Sequence, residues 1–134
     1  IWIFNTDNLQ LEIYNFQNST TEIATQPIDD SVKMFFNNYN FCWILTEKGL
    51  LQYNVYGSLL NSYALENVDD FTYSNNTFVF RKGQELFAQQ TAADKSQLIV
   101  LPNELVIKDF SLTNETLYIY DGKNIYTYSL TLKN

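Results

Sequence analysis

Carboxylates recur along the chain: Asp29-Asp30, Asp69-Asp70 and Asp109 each stand just ahead of an apolar run. Paired carboxylates can ligate Ca²⁺ or divide general-acid and general-base work between them. An Asp that recurs at one place in a repeated pattern more commonly serves a turn, where its side chain accepts from backbone N–H groups. No loop of the Asp-x-Asp-x-Asp-Gly type is present. The chain has no His, which excludes Ser-His-Asp and Cys-His nucleophiles and His-ligated metals. It has one Cys, so Cys-x-x-Cys redox chemistry and multi-Cys metal sites are excluded too. Cys42 lies in the apolar run Phe41-Cys42-Trp43-Ile44-Leu45 and is expected to be a buried, unreactive thiol. Asp121-Gly122-Lys123-Asn124 has the look of a phosphate loop but lacks its glycines and the following helix. A hairpin turn accounts for it. No catalytic residue, metal ligand or cofactor site is expected.

Aromatic side chains are the other candidates. Trp2, Trp43, Tyr39, Tyr56, Tyr118 and Tyr120 could stack on sugar rings or dock a partner. The two Trp stand at matching places in the pattern and are expected to pack in the core. Tyr39 and Tyr56 lie beside turns and are the candidates for glycan or partner contact. Three Asn-x-Ser/Thr sequons, at Asn18, Asn75 and Asn114, fall in a chain with sixteen Asn, and two of them coincide with a repeated turn. The net charge is −7, from 8 Lys plus Arg against 15 Asp plus Glu. That balance argues against nucleic acid and anionic membrane surfaces as partners. No apolar run approaches the length of a membrane helix.

The elements that must position these residues are strands. Aromatics make up 16 % of the chain, and aromatic and β-branched residues favour strands while Asn favours the turns between them. Period-two alternation marks Leu9 to Tyr14, Leu51 to Val55 and Ile125 to Leu130. Strands are predicted at about 2–5, 10–16, 21–26, 32–37, 41–46, 50–55, 59–65, 70–74, 77–81, 85–89, 98–101, 106–112, 116–120 and 124–131. Gln84 to Asp94 is the one stretch also compatible with a helix.

An internal repeat organises the strands. Without gaps, Met34 to Trp43 aligns with Phe71 to Phe80 and with Phe110 to Ile119, in steps of 37 and 39 residues. Apolar residues coincide at Met34, Phe71 and Phe110 and at Phe36, Tyr73 and Leu112. Asn coincides at Asn38, Asn75 and Asn114. Each copy reads strand, polar turn, strand, then a second hairpin through Gly49, Gly83 or Gly122. Four short strands every ~40 residues is the period of a β-propeller blade.

The chain resembles degenerate β-propeller repeat proteins of the WD40-like or kelch-like architecture. The Trp-Asp and Gly-His dipeptides and the kelch double Gly are absent, so the resemblance implies a fold and assigns no functional residue. The Asn-rich, Tyr-rich, Lys-over-Arg composition is similar to that of uncharacterised envelope propeller proteins of Bacteroidota. That likeness implies a periplasmic or cell-envelope setting and makes Ser31, within Asp30-Ser31-Val32, a candidate O-glycosylation site. The expected fold is all-β and propeller-like: about three four-stranded blades plus a hairpin in one domain over 1–134. The blades fall at about 1–36, 39–73, 77–112 and 117–132. The chain opens inside a strand, and further blades are expected before it. The expected function is a non-enzymatic protein-interaction or scaffold module whose partner is another protein or further blades of the same parent. The alternative is a glycan-binding domain, or a carboxylate-based glycan-active one.

Overall fold

The structure is a computed structural model, and it describes residues 1–28, 30–91 and 95–132. Asp29 of the first Asp pair, and Ala92 to Asp94 of the stretch compatible with a helix, lie outside the described residues. The chain divides into two compact units, Ile1–Asn67 and Val68–Asn134.

The first unit holds two antiparallel sheets. Sheet 1 is β1 (Trp2–Asn5), β2 (Gln10–Asn15) and β3 (Thr20–Ala24), and sheet 2 is β4 (Val32–Asn37), β5 (Phe41–Thr46), β6 (Leu50–Asn54) and β7 (Leu59–Tyr63). The second unit repeats the plan. Sheet 3 is β8 (Asp70–Ser74), β9 (Thr77–Lys82), β10 (Glu85–Gln90) and β11 (Gln97–Ile99), and sheet 4 is β12 (Asp109–Thr113), β13 (Thr116–Tyr120) and β14 (Ile125–Ser129). Within each sheet, neighbours in sequence are neighbours in space, the meander that short polar turns allow. The described residues contain no helix, and Glu85–Gln90 of the stretch compatible with one forms β10 instead.

Strand pairing moves two features of the sequence reading. Val32–Asn37 pairs with β5 and opens sheet 2, whereas the reading by period makes it the last strand of the first blade. The sheets therefore group the fourteen strands of the described residues as three, four, four and three. The repeat register also shifts in its first copy. Asn38 N–H donates to the Phe41 carbonyl at 3.0 Å, which leaves Tyr39-Asn40 as a two-residue loop. Ser74 pairs with Thr77 and Thr113 with Thr116 in the other copies. Asn38 thus matches Ser74 and Thr113, one place away from the alignment of apolar residues. In a strand a one-residue slip exchanges the two faces, so only pairing settles which side chains are equivalent.

Turn chemistry accounts for several of the asparagines. Asn5, Asn15, Asn38, Thr46, Asn54 and Asp121 each place a side-chain oxygen on backbone N–H groups two to four residues ahead, at 2.7–3.3 Å. Asn75, Asn76 and Asn114 serve differently, with φ of 47°, 59° and 55°, a region that Asn tolerates better than most residues. The Asn75 side-chain amide also donates to the Asn114 side chain at 3.0 Å. The two sequon asparagines of the repeat are thus engaged in structural turns.

Each unit has its own core. In the first, Leu11, Ile28, Cys42, Ile44 and Tyr53 are buried together, with Trp2 and Phe4 packed against them. In the second, Val79, Leu86 and Ala88 of sheet 3 meet Ile107, Leu112, Leu117 and Ile119. In both, one face of a sheet packs on a face of the next, as alternating strands require.

Candidate interaction surface

Tyr39 and Tyr56 sit on the two turns at one end of sheet 2. Asn38 accepts the N–H groups of Asn40 and Phe41 at 2.9 Å each and so fixes the first turn. Asn54 accepts the N–H groups of Tyr56 at 2.9 Å and Ser58 at 3.0 Å and fixes the second. Phe41 pairs with Asn54 across β5 and β6, so the turns stand side by side. Tyr39 is 95 % exposed and Tyr56 76 %. Capped turns hold the backbones of two solvated aromatic rings, an arrangement that lowers the ordering cost of contact.

Ser31 is exposed at the opposite end of the same sheet, just before β4, where its carbonyl accepts the Glu47 N–H at 3.2 Å. Beside it, Lys48 Nζ lies 2.9 Å from Asp30. The fold therefore separates Ser31 from the two tyrosines.

Asp69, Asp70, Asp109 and Asp121 are occupied locally. Asp70 receives Arg81 Nε at 3.3 Å and Nη2 at 3.2 Å, while Asp69 accepts the Gly83 N–H at 2.7 Å. The bond to Asp70 is the main reason that the Arg81 pKa is raised. Asp109 accepts the Phe110 N–H at 2.8 Å. Asp121 accepts the N–H groups of Asn124 and Lys123, which lower its pKa. Among the described residues, no group of three Asp, Glu or Cys side chains is arranged to hold a metal ion. Cys42 is fully buried, and burial pushes its thiol up to about 12.

Trp43 is fully buried and Trp2 half-buried. One surface feature has no counterpart among the sequence candidates. An open groove of about 430 Å³ runs between β11 and the segment that follows it, lined by Leu98, Val100, Pro102 and Val106. Leu98 is 53 % exposed and Val100 88 %. The charge-free run Leu98 to Pro102 was the available signal, but an apolar run reads equally well as a buried strand.

Sheets of three and four antiparallel strands in a repeating meander define the class: the chain has a β-propeller fold, as a partial propeller. No protein-family model and no curated protein matches the sequence. Solved propeller structures do match the fold. Hsv2 of Kluyveromyces lactis superposes with a TM-score of 0.67 at 14 % identity, over 96 % of this chain and 43 % of its own. The computationally designed Ika4 protein gives a TM-score of 0.65 at 8 % identity, over 92 % of this chain and 81 % of its own. PorZ, a bacterial surface component of the type-IX secretion system of Porphyromonas gingivalis, gives 0.57 at 14 % identity, over 92 % of this chain and 20 % of its own. The chain spans less than half the length of the Hsv2 structures that it matches.

Proposed function

We propose that the chain is a non-enzymatic interaction and scaffold module, part of a larger propeller or assembly, with its setting at the cell envelope. The observation that carries this reading is the pair Tyr39 and Tyr56, two solvated aromatics on adjacent capped turns. Tyrosine is an interface residue of choice, because it offers a large rigid contact area and a hydroxyl for modest entropy loss. The engagement of Asp69, Asp70, Asp109 and Asp121 in local hydrogen bonds favours this reading over a carboxylate-based glycan enzyme. The envelope setting draws support from the composition and, by fold alone, from the likeness to PorZ. Exposed Ser31 is then the O-glycosylation site.

The test is capture of crosslinked partners from the native source with wild type and with Tyr39→Ala/Tyr56→Ala. Loss of a specific partner, with the melting temperature unchanged, is the expected result. Identical capture by both proteins would overturn the tyrosine surface. Cell fractionation tests the setting, and loss of a glycan mass in Ser31→Ala tests the modification.

A further inference from the structure

The open groove of the second unit forms where sheet 3 stops pairing. β11 pairs with β10 as far as Ile99 opposite Leu86, and the ladder ends there. The next residue, Val100, would come opposite Glu85, but the two do not pair and the chain parts from β10. It is tied back further on, where Gln84 Oε1 accepts the Ile107 N–H at 2.9 Å and the Leu105 N–H donates to the Pro102 carbonyl at 3.1 Å. Ile99, Leu101 and Leu105 pack on the core of the unit. The walls of the groove are therefore held before anything binds, which lowers the ordering cost of contact.

Backbone and charge are both left uncommitted in this groove. Val100 and Leu101 make no hydrogen bond among the described residues, and β11 is an edge strand of sheet 3. An unpaired, extended edge is a template for a further strand. Pro102, which has no N–H, limits that template to the residues before it. Among the described residues, Glu85 is the only charged one lining the groove. Lys82 pairs with Glu85 across the hairpin, but its Nζ sits over the Phe80 and Phe87 rings, 5.9 and 5.5 Å from their centroids. Glu85 has no ion pair among the described residues. Beside these groups, Leu98, Val100 and Val106 present exposed apolar surface.

We propose that the groove takes up an extended segment of a partner polypeptide, apolar at alternate residues and carrying a Lys or Arg. Its backbone pairs at Val100 and Leu101, its apolar side chains lie against Leu98, Val100 and Val106, and its cation meets Glu85. Backbone pairing supplies the affinity of such a contact, and the side-chain surfaces supply its specificity. Charge complementarity selects a basic segment: the groove offers an unpaired carboxylate and no lining cation, and an acidic segment would meet like charge. A small amphiphile would cover the apolar walls but leave the backbone groups without partners. This contact is additional to that of Tyr39 and Tyr56, which belong to the first unit.

The test is selection of a display library of random short peptides on the purified chain. The enriched peptides, made synthetically, are then titrated against wild type, Val100→Pro and Glu85→Lys. Val100→Pro removes an N–H that has no partner among the described residues, and both positions are exposed, so melting temperatures near that of wild type are expected. The enriched peptides are expected to alternate apolar residues and to carry Lys or Arg. Each substitution is expected to weaken their binding about tenfold or more. Exchanging the peptide's basic residue for Glu should weaken binding to wild type and restore binding to Glu85→Lys. If Val100→Pro does not fold, that exchange of charges decides alone. No enrichment, or enriched peptides without a basic residue, would overturn the proposal. So would binding that a folded Val100→Pro leaves unchanged, or binding lost in Tyr39→Ala/Tyr56→Ala instead, which would place the peptides on the tyrosine surface. Self-association of the chain that Val100→Pro abolishes, with no peptide enriched, would make the occupant a second copy and overturn it too.

Discussion

Cys42 illustrates how a single side chain responds to its surroundings. It is fully buried beside Ile44 and Tyr53, and loss of hydration for the thiolate raises its pKa to about 12. Labelling by a thiol reagent is expected to be slow in native buffer and fast in denaturant; comparable rates would contradict the burial. Cys42→Ser puts a hydroxyl among apolar neighbours and is expected to cost about 1–3 kcal/mol in denaturant melts. Asp121 responds to pH in a definite direction. The backbone N–H groups of Asn124 and Lys123 depress its pKa, so its charged form stabilises the fold above its ordinary unfolded value. That contribution disappears as pH falls through the lower folded value. Melting temperatures of wild type and Asp121→Ala should differ at neutral pH and converge in strong acid.

At the scale of elements, hairpin turns determine how the sheets join. Gly49 closes the β5–β6 turn, and its N–H reaches the Thr46 hydroxyl oxygen at 3.3 Å. A Cβ at this position would collide with the Tyr63 carbonyl of β7, a backbone atom that cannot move aside without breaking the pairing with Leu50. Gly83 serves the equivalent turn of sheet 3 at φ +61°, and a Cβ there meets nothing within 4 Å. Gly83→Ala is therefore expected to cost about 1–2 kcal/mol, the penalty of left-handed backbone alone. Gly49→Ala should cost more, because a steric clash forces a strand to shift. Equal costs in urea melts would show that the turn and not β7 governs Gly49.

For the whole molecule, burial depends on place in the repeat more than on residue type. Leu86→Ala empties a fully buried site and should cost about 2–5 kcal/mol. Ile125 pairs with Tyr120 beside its turn as Leu86 pairs with Arg81, but it is 68 % exposed, so Ile125→Ala should cost under about 1 kcal/mol. Chemical melts of the two variants read both effects.

What the sequence by itself determined was local. Alternation, aromatic runs and Asn or Gly turns marked the fourteen strands of the described residues, because strand and turn preferences act over a few residues. The period of about 40 residues marked the propeller class, because each blade repeats the same local pattern. Tertiary structure decided the rest. Pairing assigned Val32–Asn37 to sheet 2, since either neighbouring sheet can accept an apolar strand and only hydrogen bonds choose between them. It also moved Asn38 one place in the repeat, because residue type carries no record of which face is up. The setting of Tyr39 beside Tyr56 depended on β5 and β6 pairing, which brings turns 17 residues apart to one end of a sheet. The exposure of Ile125 beside its buried equivalents was invisible in sequence, because burial is a property of what lies opposite a face and not of the residue on it.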